Sequence, residues 1–262
     1  MSVDFDVAVI GAGPAGASAA ALLAHRGVAR PGRIALLSDR FGASPAADAD
    51  WDLRVFALGR DAQRLLESIG AWQLIPPSRR HPYQRMRVWD AADAADGARV
   101  LSFDAADIAE PDLGHIVDGE HLRAASVAAA RRAGVVLAEA RVTSLSFDER
   151  AARIGLADGR TLGAALVVGA DGAGSKVRAL AGIATHGHDY HQSAVVAHVT
   201  TGRAHADTAW ERFLPGGPLA FLPLSDGRSS IVWTVTGSHA QRLCDLPAQE
   251  FAQELERASA SV

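Results

Sequence analysis

Val7-Ala8-Val9-Ile10-Gly11-Ala12-Gly13-Pro14-Ala15-Gly16 is the stretch that decides the fold. Its first four residues are all apolar, which suits a strand buried on both faces. Gly11, Gly13 and Gly16 then spell G-x-G-x-x-G. Gly11 permits a tight turn, Gly13 lets backbone approach a pyrophosphate, and Gly16 lets the next helix pack against the strand. Pro14 and Ala15 open that helix, which the alanine-rich sequence carries to about residue 25, and Gly27 suits its end. The helix N-terminus would face the phosphates with free N–H groups and the positive end of its dipole. By itself the pattern is weak. Between a strand and a helix it has the context that dinucleotide binding requires.

Working outward, residues 33–37 read as a second apolar strand. The resulting βαβ unit implies a parallel sheet. Asp39, just past that strand, is the candidate acid for an adenosine ribose. Leu58, Ala62, Leu65, Leu66 and Ile69 share one face at helical spacing and predict a helix stopped by Gly70. Strands are expected at 86–89, 100–103, 135–138, 142–147 and 154–157, and a helix at 120–133. Asp158-Gly159 predicts a hairpin turn. Residues 166–168 read as another fully buried strand, which delivers a second glycine-rich turn, Gly169-Ala170-Asp171-Gly172-Ala173-Gly174-Ser175. There Asp171 can accept a hydroxyl donor and Ser175 can cap the helix that follows. The two turns should meet at the C-terminal edge of one sheet, where ligands of open α/β sheets bind.

After about residue 185 the texture changes. Strand-like runs at 193–201, 208–214, 219–224 and 229–236 suggest an antiparallel sheet, and a helix is expected at 247–257. The expected division is a dinucleotide-binding domain over 1–185, with 77–106 lending strands to a second domain at 186–262.

Composition narrows the function. A net charge of -4 gives no broad attraction for nucleic acid. Cys244 is the only cysteine, so no intrachain disulfide can form, and a cytoplasmic setting is expected. The glycines and Pro14 inside the apolar 7–23 stretch argue against a membrane span there. His186, His188 and His191 lie in an expected loop with no supporting carboxylate pair or cysteine, so no metal site is expected.

The motifs together resemble the ubiquinone-biosynthesis hydroxylases, a branch of the class A flavoprotein monooxygenases. The likeness runs through the glycine fingerprint and through Gly169, Asp171, Gly172, Ser175 and Arg178, which match the family's Asp-Gly motif. It continues in the Arg54–Gly59 segment, whose arginine the family places near the flavin. It extends to Leu113–Val117 and to Trp210–Leu224, where Pro215, Gly217 and Pro218 stand on the substrate side. The resemblance implies a Rossmann-like α/β fold of the glutathione-reductase type, binding FAD, with an antiparallel-sheet substrate domain. It implies FAD-dependent hydroxylation of an aromatic ring with NAD(P)H and O2. The expected substrate is a small aromatic molecule with a lipid tail, a polyprenylated phenol, met by a cytoplasmic protein peripheral to the membrane or in a biosynthetic complex. The alternatives are a soluble aromatic substrate, or an inactive fragment. The family's third motif, a Gly-Asp pair followed by histidine, has no counterpart after Thr185. The resemblance therefore implies a member whose C-terminal part is missing and which is a poor enzyme alone. No catalytic acid or base is assigned.

Overall fold

The computed structural model describes residues 3–46 and 48–260. In chain order the strands and α-helices are β1 (Phe5–Ile10), α1 (Pro14–His25), β2 (Ile34–Ser38), β3 (Val55–Gly59), α2 (Arg60–Ser68), β4 (Arg80–Tyr83), β5 (Arg85–Asp90), β6 (Leu101–Asp104), β7 (Gly114–Asp118), α3 (Gly119–Arg132), β8 (Val136–Glu139), β9 (Val142–Phe147), β10 (Ala152–Leu156), β11 (Thr161–Gly169), α4 (Lys176–Leu180), β12 (Gln192–Val199), β13 (Thr208–Leu214), β14 (Gly217–Pro223), β15 (Ser229–Thr236), α5 (Gly237–Asp245) and α6 (Ala248–Ser259). They fall into two compact units. The first comprises Met1–Asp50, Ala62–Pro76 and Glu120–His186, and the second Trp51–Asp61, Pro77–Gly119 and Gly187–Val262.

The first unit is built on a six-stranded sheet in the order β8-β2-β1-β11-β10-β9. β8, β2, β1 and β11 are parallel, while β10 and β9 add an antiparallel meander. Val7 to Ile10 are buried, as a central parallel strand requires. α1 lies on β1 and β2, and its Ala17, Ala20 and Ala21 are completely buried, so small side chains let helix and sheet approach closely. The Ser18 hydroxyl donates to Ser126 on α3 at 3.1 Å, and Ser126 donates to Leu122 O, so this contact of two buried hydroxyls is satisfied. The core beneath the sheet gathers Ile10, Leu37, Val142, Ile154, Leu156 and Val177. Each fully buried Leu or Ile there contributes about 2 kcal/mol of apolar transfer.

The second unit holds a six-stranded sheet, β12-β15-β14-β13-β5-β6, and a three-stranded one, β3-β7-β4. Val195, Leu219, Ile231 and Trp233 from the large sheet pack on Leu243 of α5 and Leu255 of α6.

Three expectations are corrected, and one helix is added. Leu58 sits in strand β3, paired antiparallel with β7, and the helix begins only at Arg60. Here a partner some sixty residues away in sequence outweighs the local helical spacing. β11 is longer than expected and not fully buried. Leu166 is 52% exposed because it shares the face that α1 covers over β1 and β2 but lies on the next strand. The large sheet is not wholly antiparallel, since β13 runs parallel to β5. Helix α5 had no expected counterpart.

Candidate cofactor site

β1 and β11 end side by side, with Ile10 opposite Gly169. The Ala170 N–H donates to Ile10 O at 2.7 Å, and the Gly11 N–H donates to Leu37 O at 2.8 Å. Three parallel strands thus bring both glycine turns to the same carboxyl edge. Between the turns is a cleft of about 440 Å³, lined also by Ser38, Asp39, Ala140 and Lys176. The second unit has a larger groove of about 910 Å³ beside β12 and α6, lined by apolar side chains such as Val195, Phe221, Leu243 and Phe251.

The three fingerprint glycines differ in what requires them. Gly11 has φ +114°, and a Cβ there would lie 2.3 Å from Ala170 O. A Cβ on Gly16 would lie 2.0 Å from Gly11 O. Both are demanded by the fold. Gly13 has φ -69°, caps α1 and would place a Cβ within 4 Å of nothing. Neither backbone strain nor packing calls for glycine there. What the missing side chain leaves is open space over the N-terminus of α1, the room a pyrophosphate needs. α1 has Pro14 at its start, which sacrifices no needed N–H, and no acid in its first turn to repel an anion.

The second turn is organised differently. Asp171 turns its carboxylate onto α4, accepting from the Ser175 hydroxyl and from the Lys176 and Val177 amides at 2.7 and 3.1 Å. Partial burial disfavours its charge, but the Ser175 hydrogen bond and the Val177 and Lys176 amides outweigh that and hold its pKa below the ordinary value. Ser175 caps α4 by accepting from the Arg178 amide at 3.0 Å, as its position suggested. Arg178 donates to Ala173 O at 2.9 Å, and Gly172 has φ +85°. Asp171 is thus chiefly the scaffold of its own turn. Asp39 stands at the cleft rim, exposed, and its Oδ2 meets Arg141 Nε at 3.1 Å.

Lys176 was not singled out from the sequence. A compositional signal was there, because it is the only lysine in a chain whose other basic side chains are arginine. Ala140 and Ser38 reach the cleft through the pairing of β2 with β8, where Ser38 faces Glu139, and no local pattern announces that pairing.

The model of the FAD binding domain family matches residues 4–262. The chain belongs to the FAD binding domain family. The cofactor of that family is FAD, and the cleft suits it. The open space over Gly13 lies at a helix N-terminus, where a pyrophosphate would fit, and Asp39 directly follows the second strand of the βαβ unit. Among curated relatives, the Ubiquinone hydroxylase UbiL of Rhodospirillum rubrum is 38% identical over 256 residues, 96% of this chain and 57% of its own. The 3-demethoxyubiquinol 3-hydroxylase of Escherichia coli is 31% identical over 252 residues, 95% of this chain and 62% of its own. Rat Ubiquinone biosynthesis monooxygenase COQ6, mitochondrial, is 34% identical over 271 residues, 97% and 55% respectively. The chain therefore spans little more than half the length of these relatives. The fold is shared with pqsL, a probable FAD-dependent monooxygenase from Pseudomonas aeruginosa, at a TM-score of 0.73 and 23% identity, covering 97% of this chain and 66% of that one.

The remaining expected residues lie in the second unit. Arg54 precedes β3, accepts the Gly119 N–H on its carbonyl at 2.9 Å and holds its guanidinium 5.7 Å from the Phe56 ring centre. Gly119 belongs to this contact, since a Cβ there would lie 2.4 Å from Arg54 O. Pro215, Gly217 and Pro218 form the β13–β14 hairpin, where Pro218 pairs with Phe213. Gly217, at φ +135°, is required by packing, because a Cβ there would approach Thr234 O to 2.6 Å.

Proposed function

We propose that this chain holds FAD in the glycine-lined cleft as part of a ring hydroxylase that acts on a polyprenylated phenol in ubiquinone synthesis. The observation that carries the cofactor assignment is Gly13, which neither backbone strain nor packing requires and which leaves the N-terminus of α1 open. The substrate class is supported by relatives 31–38% identical along nearly the whole chain, each named for ubiquinone chemistry. Bound FAD would supply reduction by NAD(P)H and the activation of O2 that puts one oxygen atom on the ring. The chain's own residues bind and orient. The Gly11–Gly16 turn and the first turn of α1 take the pyrophosphate, with Pro14 and Ala15 at its edge. Asp39 takes the adenosine ribose hydroxyls. The Asp171–Arg178 turn, with Gly172 and Ser175, forms the opposite wall, and Lys176 adds positive charge. Arg54 serves the flavin and the Pro215–Pro218 hairpin the substrate. No side chain is assigned as acid or base.

A lipid-tailed substrate would be met at a membrane surface. Among the described residues, no helix is long and apolar enough to cross one. The test is a titration of the purified chain with FAD, followed by addition of a prenylated phenol or a soluble hydroxybenzoate while the flavin absorbance is read. Stoichiometric flavin, perturbed by the prenylated phenol alone, is the expected result. Perturbation by hydroxybenzoate alone would move the assignment to a soluble aromatic substrate. Failure to hold flavin would remove the cofactor assignment.

A further inference from the structure

His81, on β4, faces the turn that carries His205 and Asp207 ahead of β13, all within the second unit. His81 Nε2 lies 2.8 Å from Asp207 Oδ1, and His205 Nδ1 lies 3.8 Å from the same oxygen. The two imidazoles meet edge to face at 5.0 Å, and one donor atom from each of the three residues falls within 4.8 Å of the others. We propose that His81, His205 and Asp207 bind a single divalent transition-metal ion, zinc foremost.

The spacing suits such an ion. Tetrahedral zinc with bonds of about 2.0–2.1 Å holds its ligand atoms roughly 3.4 Å apart. The separations of 2.8 and 3.8 Å bracket that figure, so small side-chain rotations admit the ion. The donor set is two neutral nitrogens and one carboxylate, which favours zinc over magnesium or calcium and leaves a fourth position for water.

His205 and Asp207 are also held in advance, while His81 must release the Nε2 proton it donates to Asp207 when the ion binds. His205 Nε2 lies 3.1 Å from Leu224 O, which makes it the N–H donor and leaves the Nδ1 lone pair towards Asp207. Anchoring of the far ring nitrogen on a backbone carbonyl is how metal-ligating histidines are oriented. The Asp207 amide, 3.1 Å from Nδ1, supports the same tautomer and is the group an ion must compete with. Ala206 and Asp207 both adopt left-handed backbone, at φ 48° and 52°. Two consecutive non-glycine residues keep that conformation only when their surroundings fix it. Here the Gln84 and Arg85 amides donate to Asp207 O at 2.8 and 3.2 Å, and Arg85 Nη2 donates to Ala206 O at 2.8 Å. Arg85 Nε is spent on Thr208 Oγ1, so its guanidinium does not neutralise the carboxylate. Asp207 is also 42% exposed, which gives an ion a way in.

An ion here would tie β4 to a turn 126 residues further along the chain and link folding of the second unit to metal. The test uses tag-free, metal-stripped chain titrated with zinc against a chromophoric chelator, and with cobalt for its visible absorption. One zinc per chain is expected, with a rise in Tm. His81→Gln and the near-isosteric Asp207→Asn should each weaken binding at least about tenfold and remove the Tm rise. His188→Gln, in the exposed histidine-rich loop, should change neither. Wild-type zinc affinity in both site variants, loss of binding in His188→Gln, or no stoichiometric binding by the native chain would overturn the proposal.

Discussion

The two glycine turns end neighbouring parallel strands, yet they keep their shapes by opposite means. The first has no polar side chain to hold it. Gly11 and Gly16 let backbone pack on backbone, and Gly13 leaves a void. The second is closed by side chains, with Asp171 and Ser175 satisfying the amides at the start of α4. One turn therefore leaves open space beside its main-chain N–H groups, as the proposed ligand would need. The other is shaped by its own hydrogen bonds and offers a ready-made wall. An Asp in a glycine loop is not by itself a ligand contact, because it has first to satisfy the helix it precedes.

The largest effect should come from breaking the first turn's packing. Gly16→Val forces a Cβ into Gly11 O and should cost about 3 kcal/mol or more, seen as a large fall in Tm or loss of folded protein. A well-folded variant would show that the turn has slack. Gly13→Val separates fold from ligand. Stability should stay within about 1 kcal/mol of wild type. FAD affinity should drop at least about 100-fold, or roughly 2.7 kcal/mol, by fluorescence titration. Unchanged affinity would remove the pyrophosphate from this turn.

The second turn should respond the other way. Asp171→Asn should lose about 1–2 kcal/mol of stability, the worth of a good helix cap. Its folded pKa is held below the ordinary carboxylate value, so the stabilisation is complete above about pH 4–5 and is lost as pH falls through the folded pKa. The Tm difference between wild type and variant should be flat from neutral pH to about 5 and shrink below it. A difference that grows in acid would contradict the assignment. The smallest effect should be that of Lys176→Ala, an exposed charge at the cleft worth about 0.5–1 kcal/mol of FAD affinity, or a few-fold in Kd, fading with added salt.

The sequence was most informative where structure is local. β1, its turn, α1 and β2 could be read because burial, glycine placement and helix composition agree between Phe5 and Ser38. β9 and the Asp158-Gly159 hairpin were legible for the same reason, Gly159 taking φ +86°. What escaped depends on distant partners. β3 is a strand because β7 pairs with it, and β4 keeps Pro82 within such a pairing. The parallel alignment of β13 with β5 joins residues more than a hundred positions apart. At the candidate site the glycine positions could be read, since backbone demands glycine in few ways. The direction of the Asp171 side chain could not, because ligand and helix offer it equally good donors. The grouping of His81 with His205 and Asp207 leaves no trace in spacing.

The lone lysine has a practical consequence. Apart from the α-amino group, Lys176 carries the only primary amine in the chain, and it stands at the cleft rim. An amine-reactive dye should therefore mark this protein at one internal position, beside the proposed cofactor cleft. Labelling at that position should slow as FAD fills the cleft, so occupancy becomes readable on an apparent mass scale without any engineered tag.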